Sequence, residues 1–122
     1  MKLITTLFAS ALVALFGFTA RAELSDAEAR EYVKRGALVI DVRTVEEFNA
    51  KRLTNVINIP LAEVKVKFPG VVTNKSDVVL LHCRTGRRSG IAETELRALG
   101  YTNVFNIGSF ERAEKIVTTP AR

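Results

Sequence analysis

The chain has 122 residues, with 18 Lys and Arg against 13 Asp and Glu, a formal charge of +5. That length sets one domain with one modest core, and the charge excess is too mild to mark a nucleic-acid binder. The one cysteine of the chain, Cys83, has no partner for an internal disulfide.

Residues 1–22 have the layout of a secretory signal peptide. Lys2 gives a positive start, residues 3–18 are mostly apolar, and Ala20-Arg21-Ala22 places small residues where a signal peptidase reads. The apolar run is short against the ~20 residues of a membrane span. The expectation is cleavage after Ala22, a periplasmic or secreted domain over residues 23–122, and no membrane span afterwards. Without Lys2 and Arg21 the domain keeps 16 basic and 13 acidic residues. The positive charges that matter are local: Arg84, Arg87 and Arg88.

Elements follow in order. Ser25 and Glu28 form a capping box, opening a helix to about Arg35 that Gly36 ends. Leu38-Val39-Ile40 reads as a short buried strand ending at Asp41. Thr44 and Glu47 form a second capping box, for a helix through Phe48 toward Arg52. Val56-Ile57-Asn58 is a short strand closed by Pro60. Residues 61–68 read as a short helix stopped by Pro69-Gly70, and residues 74–77 as a turn. Val78-Val79-Leu80-Leu81, a continuous aliphatic run, is the strongest strand signal and suits a strand covered on both faces. Ala92, Leu96 and Leu99 recur at helical spacing before Gly100. Val104-Phe105 is a final short strand and residues 110–117 a final helix. Alternating strands and helices argue for an α/β domain with a mainly parallel sheet.

Cys83 falls at the C-terminal end of the aliphatic strand, where open α/β sheets bind ligands. Cys83-Arg84-Thr85-Gly86-Arg87-Arg88 then reads as a strand-to-helix loop, with the next helix starting near Arg88 or Ser89. The free N–H groups of that helix start carry the positive end of its dipole. Such a cradle, with nearby arginines, lowers a cysteine pKa and favours the thiolate. Arg84 and Arg87 are the candidates for gripping a small oxyanion. Gly86 suits a position of unusual backbone angles. Arg88, at the helix start, is a candidate to turn inward and pair with an acid such as Asp41. His82 is adjacent to Cys83 in a strand, so the two side chains point to opposite faces and His82 is a poor general base. One cysteine and one histidine do not make a zinc site.

These motifs together resemble the rhodanese family of sulfurtransferases, and within it the small exported single-domain thiosulfate sulfurtransferases of the bacterial phage-shock type. The resemblance rests on Leu38-Val39-Ile40-Asp41-Val42-Arg43 with Glu46-Glu47-Phe48, on Ile57-Asn58-Ile59-Pro60, on Cys83-Arg84-Thr85-Gly86-Arg87-Arg88-Ser89, and on Leu99-Gly100-Tyr101 with Val104. It implies a rhodanese-like, mainly parallel five-stranded sheet with helices on both faces. It also implies that Cys83 takes sulfane sulfur from a donor such as thiosulfate, forms a persulfide and passes it to a thiophilic acceptor, cyanide or a thiol. By the same resemblance Arg84, Thr85, Gly86, Arg87 and Arg88 hold the substrate, and Asp41, Arg43 and Ser89 support the loop. No metal or organic cofactor is implied, and a monomer is expected. The sequence departs from the family at Lys51-Arg52-Leu53-Thr54-Asn55-Val56, where relatives often read Gly-His-Ile-x-Gly-Ala, and at Gly108-Ser109, where Gly-Gly is usual.

The same fold hosts phosphatases and arsenate reductases. Phosphatase loops resemble Cys-x5-Arg, whereas here the sixth position after the thiol is Ser89 and the arginine is at the fifth. A shorter loop suits a sulfur atom or a small sulfur anion. A non-catalytic binding module and a persulfide carrier for a protein partner are the remaining readings. The cysteine with its flanking arginines argues against the former, and the acceptor alone would distinguish the latter.

Overall fold

A computed structural model describes residues 23–120. The expected leader and its cleavage point after Ala22 lie outside the described residues. Helix α1 spans Asp26–Lys34, strand β1 Leu38–Asp41, helix α2 Val45–Ala50 and strand β2 Ile57–Asn58. A 3-10 turn, Leu61–Glu63, leads into α3, Val64–Val71. Strand β3, Val79–His82, is followed by α4, Arg87–Ala98, then β4, Val104–Gly108, and α5, Phe110–Thr118.

The two capping boxes form as read. The Ser25 hydroxyl accepts from the Glu28 N–H at 3.1 Å while Glu28 accepts from the Ser25 N–H at 2.9 Å. Thr44 and Glu47 repeat the exchange at 3.2 and 3.1 Å. Gly36 and Gly100 carry positive φ just beyond their helices.

One sheet results, in the order β2-β1-β3-β4, with every pairing parallel. All four residues of β3 are buried, as its unbroken aliphatic run requires. Alternation along it divides the core in two. Val79, Leu81 and Cys83 join Ile40, Val42, Phe68, Leu96 and Tyr101 on the face covered by α3 and α4. Leu80 joins Val39, Phe105, Ala113 and Ile116 on the face covered by α1 and α5.

Two expectations change. The sheet has four strands among the described residues, where the resemblance implied five. Within those residues Ser25 caps α1, and the chain beyond β4 enters α5 at once. The helix expected to stop at Pro69-Gly70 runs on to Val71 with Pro69 inside it. Pro69 deprives the Lys65 carbonyl of its helical partner. Both residues lie on the exposed side, while buried Phe68 and Val72 anchor the turn and the Val72 N–H bonds to the Phe68 carbonyl at 2.9 Å.

Candidate active site

The thiol loop leaves β3 at the carboxyl edge of the sheet and enters α4 through Gly86. That residue is the N-cap, with φ of 101°, a conformation that costs an ordinary residue energy. A Cβ there would also lie 3.1 Å from the Gly108 Cα, so the loop needs glycine for its close approach to β4. The end of β4 and the start of α5 hold the first part of the loop. The Cys83 N–H donates to the Gly108 carbonyl, and the Phe110 N–H to the Arg84 carbonyl, each at 3.2 Å. Thr85 and Ser109 form an antiparallel bridge between them.

This folding turns donors onto the sulfur. The Gly86 N–H lies 3.0 Å from Cys83 Sγ and the Ser89 hydroxyl 3.4 Å from it. Burial pushes the thiol up, but the Ser89 hydroxyl and the N–H groups of Ser89, Gly86 and Thr85 outweigh it, and Cys83 ends below its ordinary pKa. Hydrogen bonds therefore stabilise the thiolate directly. Arg84, Thr85 and Arg87 are exposed, and the two arginines make no ion pair with another described residue.

The remaining basic groups are fixed. Asp41 and Arg43 form a buried fork, with Nη2 to Oδ2 at 2.6 Å and Nε to Oδ1 and Oδ2 at 3.0 and 2.9 Å. Arg43 also donates to the Lys51 carbonyl at 2.7 Å and stacks over Phe110 at 4.9 Å. It thereby ties β1 to the end of α2 and the start of α5. Arg88 does not pair with Asp41, as the sequence suggested, because Arg43 already occupies that carboxylate. It pairs instead with Glu47, at 2.6 and 3.0 Å. Arg88 is the main reason the Glu47 carboxyl is lowered to about 2, with Thr44 adding its own hydrogen bonds. Ser89 is buried, within reach of both Sγ and Asn106.

His82 turns away from the thiol, as alternation requires. Its ring sits edge-on to Phe110, with centroids 5.9 Å apart, and Nδ1 lies 3.3 Å from the Cys83 carbonyl. Burial lowers its pKa, so it is neutral at pH 7. Among the described residues no group of three His, Cys, Asp or Glu side chains stands together to hold a metal. Sequence reasoning missed two members of the site. Glu47 was visible as a helix-capping residue and as part of the family motif but not as the partner of Arg88, and Asn106 carried no signal, lying just past the expected strand Val104-Phe105.

The Rhodanese-like domain family matches residues 25–114. The chain belongs to that family. It is 42% identical over 72 residues to the thiosulfate sulfurtransferase PspE of Escherichia coli, covering 59% of this chain and 69% of that protein. A putative sulfur carrier protein of Bacillus subtilis, YrkF, is 32% identical over 69 residues, and the match spans 36% of its length. Among solved structures, a rhodanese from E. coli with bound anions superimposes with a TM-score of 0.61 at 39% identity, covering 63% of this chain and 91% of that one. The human single-domain sulfurtransferase TSTD1 gives 0.62 at 25% identity, covering 77% and 96%. In this rhodanese-like domain, the thiol loop therefore occupies the carboxyl edge of a family fold, with Cys83 as its single sulfur.

Proposed function

We propose that the protein is a thiosulfate sulfurtransferase that works through a Cys83 persulfide. The observation that carries this reading is the thiol itself, the one sulfur at the end of β3, with the Gly86 N–H at 3.0 Å and a pKa below the ordinary value. Cys83 as thiolate attacks the outer sulfur of thiosulfate. The new S–S bond forms as the old one breaks, and sulfite leaves with the electron pair. Arg84 and Arg87 hold the incoming anion, and the loop amides stabilise the persulfide left behind. A thiophilic acceptor such as cyanide then takes the outer sulfur and returns Cys83 to its thiolate. No step needs a metal or organic cofactor. The E. coli relative PspE is likewise a thiosulfate sulfurtransferase.

The reading includes export. The basic start, the apolar run and Ala20-Arg21-Ala22 support a leader cleaved after Ala22 and a periplasmic or secreted domain. No helix among the described residues is long and apolar enough to cross a membrane.

Intact mass tests both parts. The purified protein gains one sulfur atom with thiosulfate and loses it to cyanide as thiocyanate appears, and its mass places the cleavage. A folded protein with a free thiol that takes up no sulfur would reject the mechanism and direct the search to arsenate and phosphate esters.

A further inference from the structure

Asn106 lies on β4, outside the thiol loop, and the mechanism above gives it no part. Its side chain nonetheless holds two of the donors that reach Sγ, the Gly86 N–H and the Ser89 hydroxyl. Nδ2 donates to the Gly86 carbonyl at 3.0 Å, fixing the residue whose N–H faces the sulfur. Oδ1 accepts from the Ser89 hydroxyl at 2.7 Å and from the Gly108 N–H at 2.8 Å. The Asn106 N–H is held in turn by Glu93 at 3.0 Å, so strand and helix fix the amide together.

Ser89 has one hydroxyl proton and two acceptors within reach, Asn106 Oδ1 at 2.7 Å and Cys83 Sγ at 3.4 Å. It cannot serve both. With Cys83 as a thiol, the proton rests on Asn106 and a Ser89 lone pair accepts the S–H. With Cys83 as a thiolate, the hydroxyl turns to the sulfur. Asn106 Oδ1 is not orphaned by that turn, because the Gly108 N–H stays on it. Ionisation thus needs only the rotation of one hydroxyl.

We propose that Asn106 is a positioning residue that sets where the Ser89 proton rests and, through it and Gly86, the ionisation of Cys83. The charged groups around the thiol form a fixed background to this control. Arg88 on α4 is raised and Glu47 on α2 is held at about 2, so both keep their charges as the thiol titrates. His82, behind the strand, is lowered and stays neutral. Asp41 at the end of β1 and Arg43 just beyond it are locked to one another, and Glu93 on α4 is turned to the Asn106 backbone.

The inference rests on the reading of Cys83 as the reacting group, but its test needs no sulfur donor. The thiolate absorbance of the protein is followed against pH, with Cys83→Ser as the blank. Ser89→Ala should raise the midpoint by about one pH unit, the worth of one hydrogen bond to a charged group. Asn106→Asp keeps an acceptor for Ser89, opposes the Gly86 carbonyl and adds negative charge, so it should raise the midpoint further. In the double variant the Asn106→Asp shift should shrink, because the proton it competes for is gone. An unchanged midpoint in either single variant, or fully additive shifts, would overturn the proposal. Should Asn106→Asp fail to unfold cooperatively, Asn106→Ala takes its place: it releases both Gly86 and Ser89 without adding charge, and an unchanged midpoint in it would overturn the proposal. Sulfur uptake from thiosulfate is measured on the same samples. Shifted midpoints without uptake by the wild type would keep this inference and reject the sulfurtransferase reading; uptake with unshifted midpoints would do the reverse.

Discussion

Two sets of arginines flank the thiol loop, and they are used in opposite ways. Arg43 and Arg88 are buried or half-buried, and each is locked in a fork on one carboxylate, Asp41 and Glu47. Arg84 and Arg87 are exposed and make no ion pair with another described residue. A paired guanidinium has spent its forked donors and fixes backbone; an unpaired one keeps them for a ligand. The local positive charge that first marks this loop is therefore part scaffold and part candidate binding surface, and adjacent positions, Arg87 and Arg88, fall on different sides.

The sharpest way to break the comparison is to remove what both sets surround. Cys83→Ser should abolish sulfur uptake by intact mass while the cooperative unfolding transition remains. Substantial residual transfer would mean that neither set serves this sulfur. On the scaffold side, Asp41→Asn strands the buried Arg43 charge. It should cost about 3–5 kcal/mol in denaturant unfolding. A loss below ~1 kcal/mol would show that Arg43 finds other partners and that the fork is not what holds β1 to α2 and α5.

These roles were unequally legible beforehand. Local rules did well. Both capping boxes, the stops at Gly36 and Gly100 and the buried aliphatic strand depend on neighbours in the chain, and all of them formed, the strand one residue later than read, at 79–82. The opposite facing of His82 and Cys83 needed only the two-residue period. The partner of Arg88 was not readable, because Glu47 is 41 residues away and already had a local reason to be there as a capping residue. Asn106 was hidden for the same reason in reverse: a lone asparagine just past the expected strand says nothing until Gly86 and Ser89 fold onto it. The fifth strand came from family resemblance and not from any residues of this chain. Pro69 misled because helix-breaking is a statement about one hydrogen bond, and anchors at Phe68 and Val72 outweighed it.

The surface side of the comparison predicts smaller effects. Arg84→Ala and Arg87→Ala should each raise the thiosulfate KM about tenfold, equivalent to about 1.4 kcal/mol. Unfolding free energy should stay within ~0.5 kcal/mol of wild type, since neither side chain holds structure. An unchanged thiosulfate dependence, or a large loss of stability, would move that arginine to the other set.

The smallest effect belongs to Arg88 and Glu47, and pH is the way to isolate it. Glu47 is lowered from 4.5 to about 2 in the folded protein, with Arg88 as the main cause. A depressed carboxylate contributes its stability above the unfolded value and loses it as pH falls through the folded one. The pair should therefore stabilise fully above about pH 4.5 and fade toward pH 2. Both side chains are partly exposed, so solvent screening limits the contribution to about 1 kcal/mol. Glu47→Gln is the suitable variant, because glutamine can keep the capping box with Thr44 while losing the charge. Wild type and variant should differ by that amount at pH 7, and their unfolding curves should converge as pH approaches 2. A gap that persists at pH 2 would mean that Glu47 stabilises as a cap and not as the anchor of Arg88, leaving Arg88 free to join Arg84 and Arg87 in holding the anion.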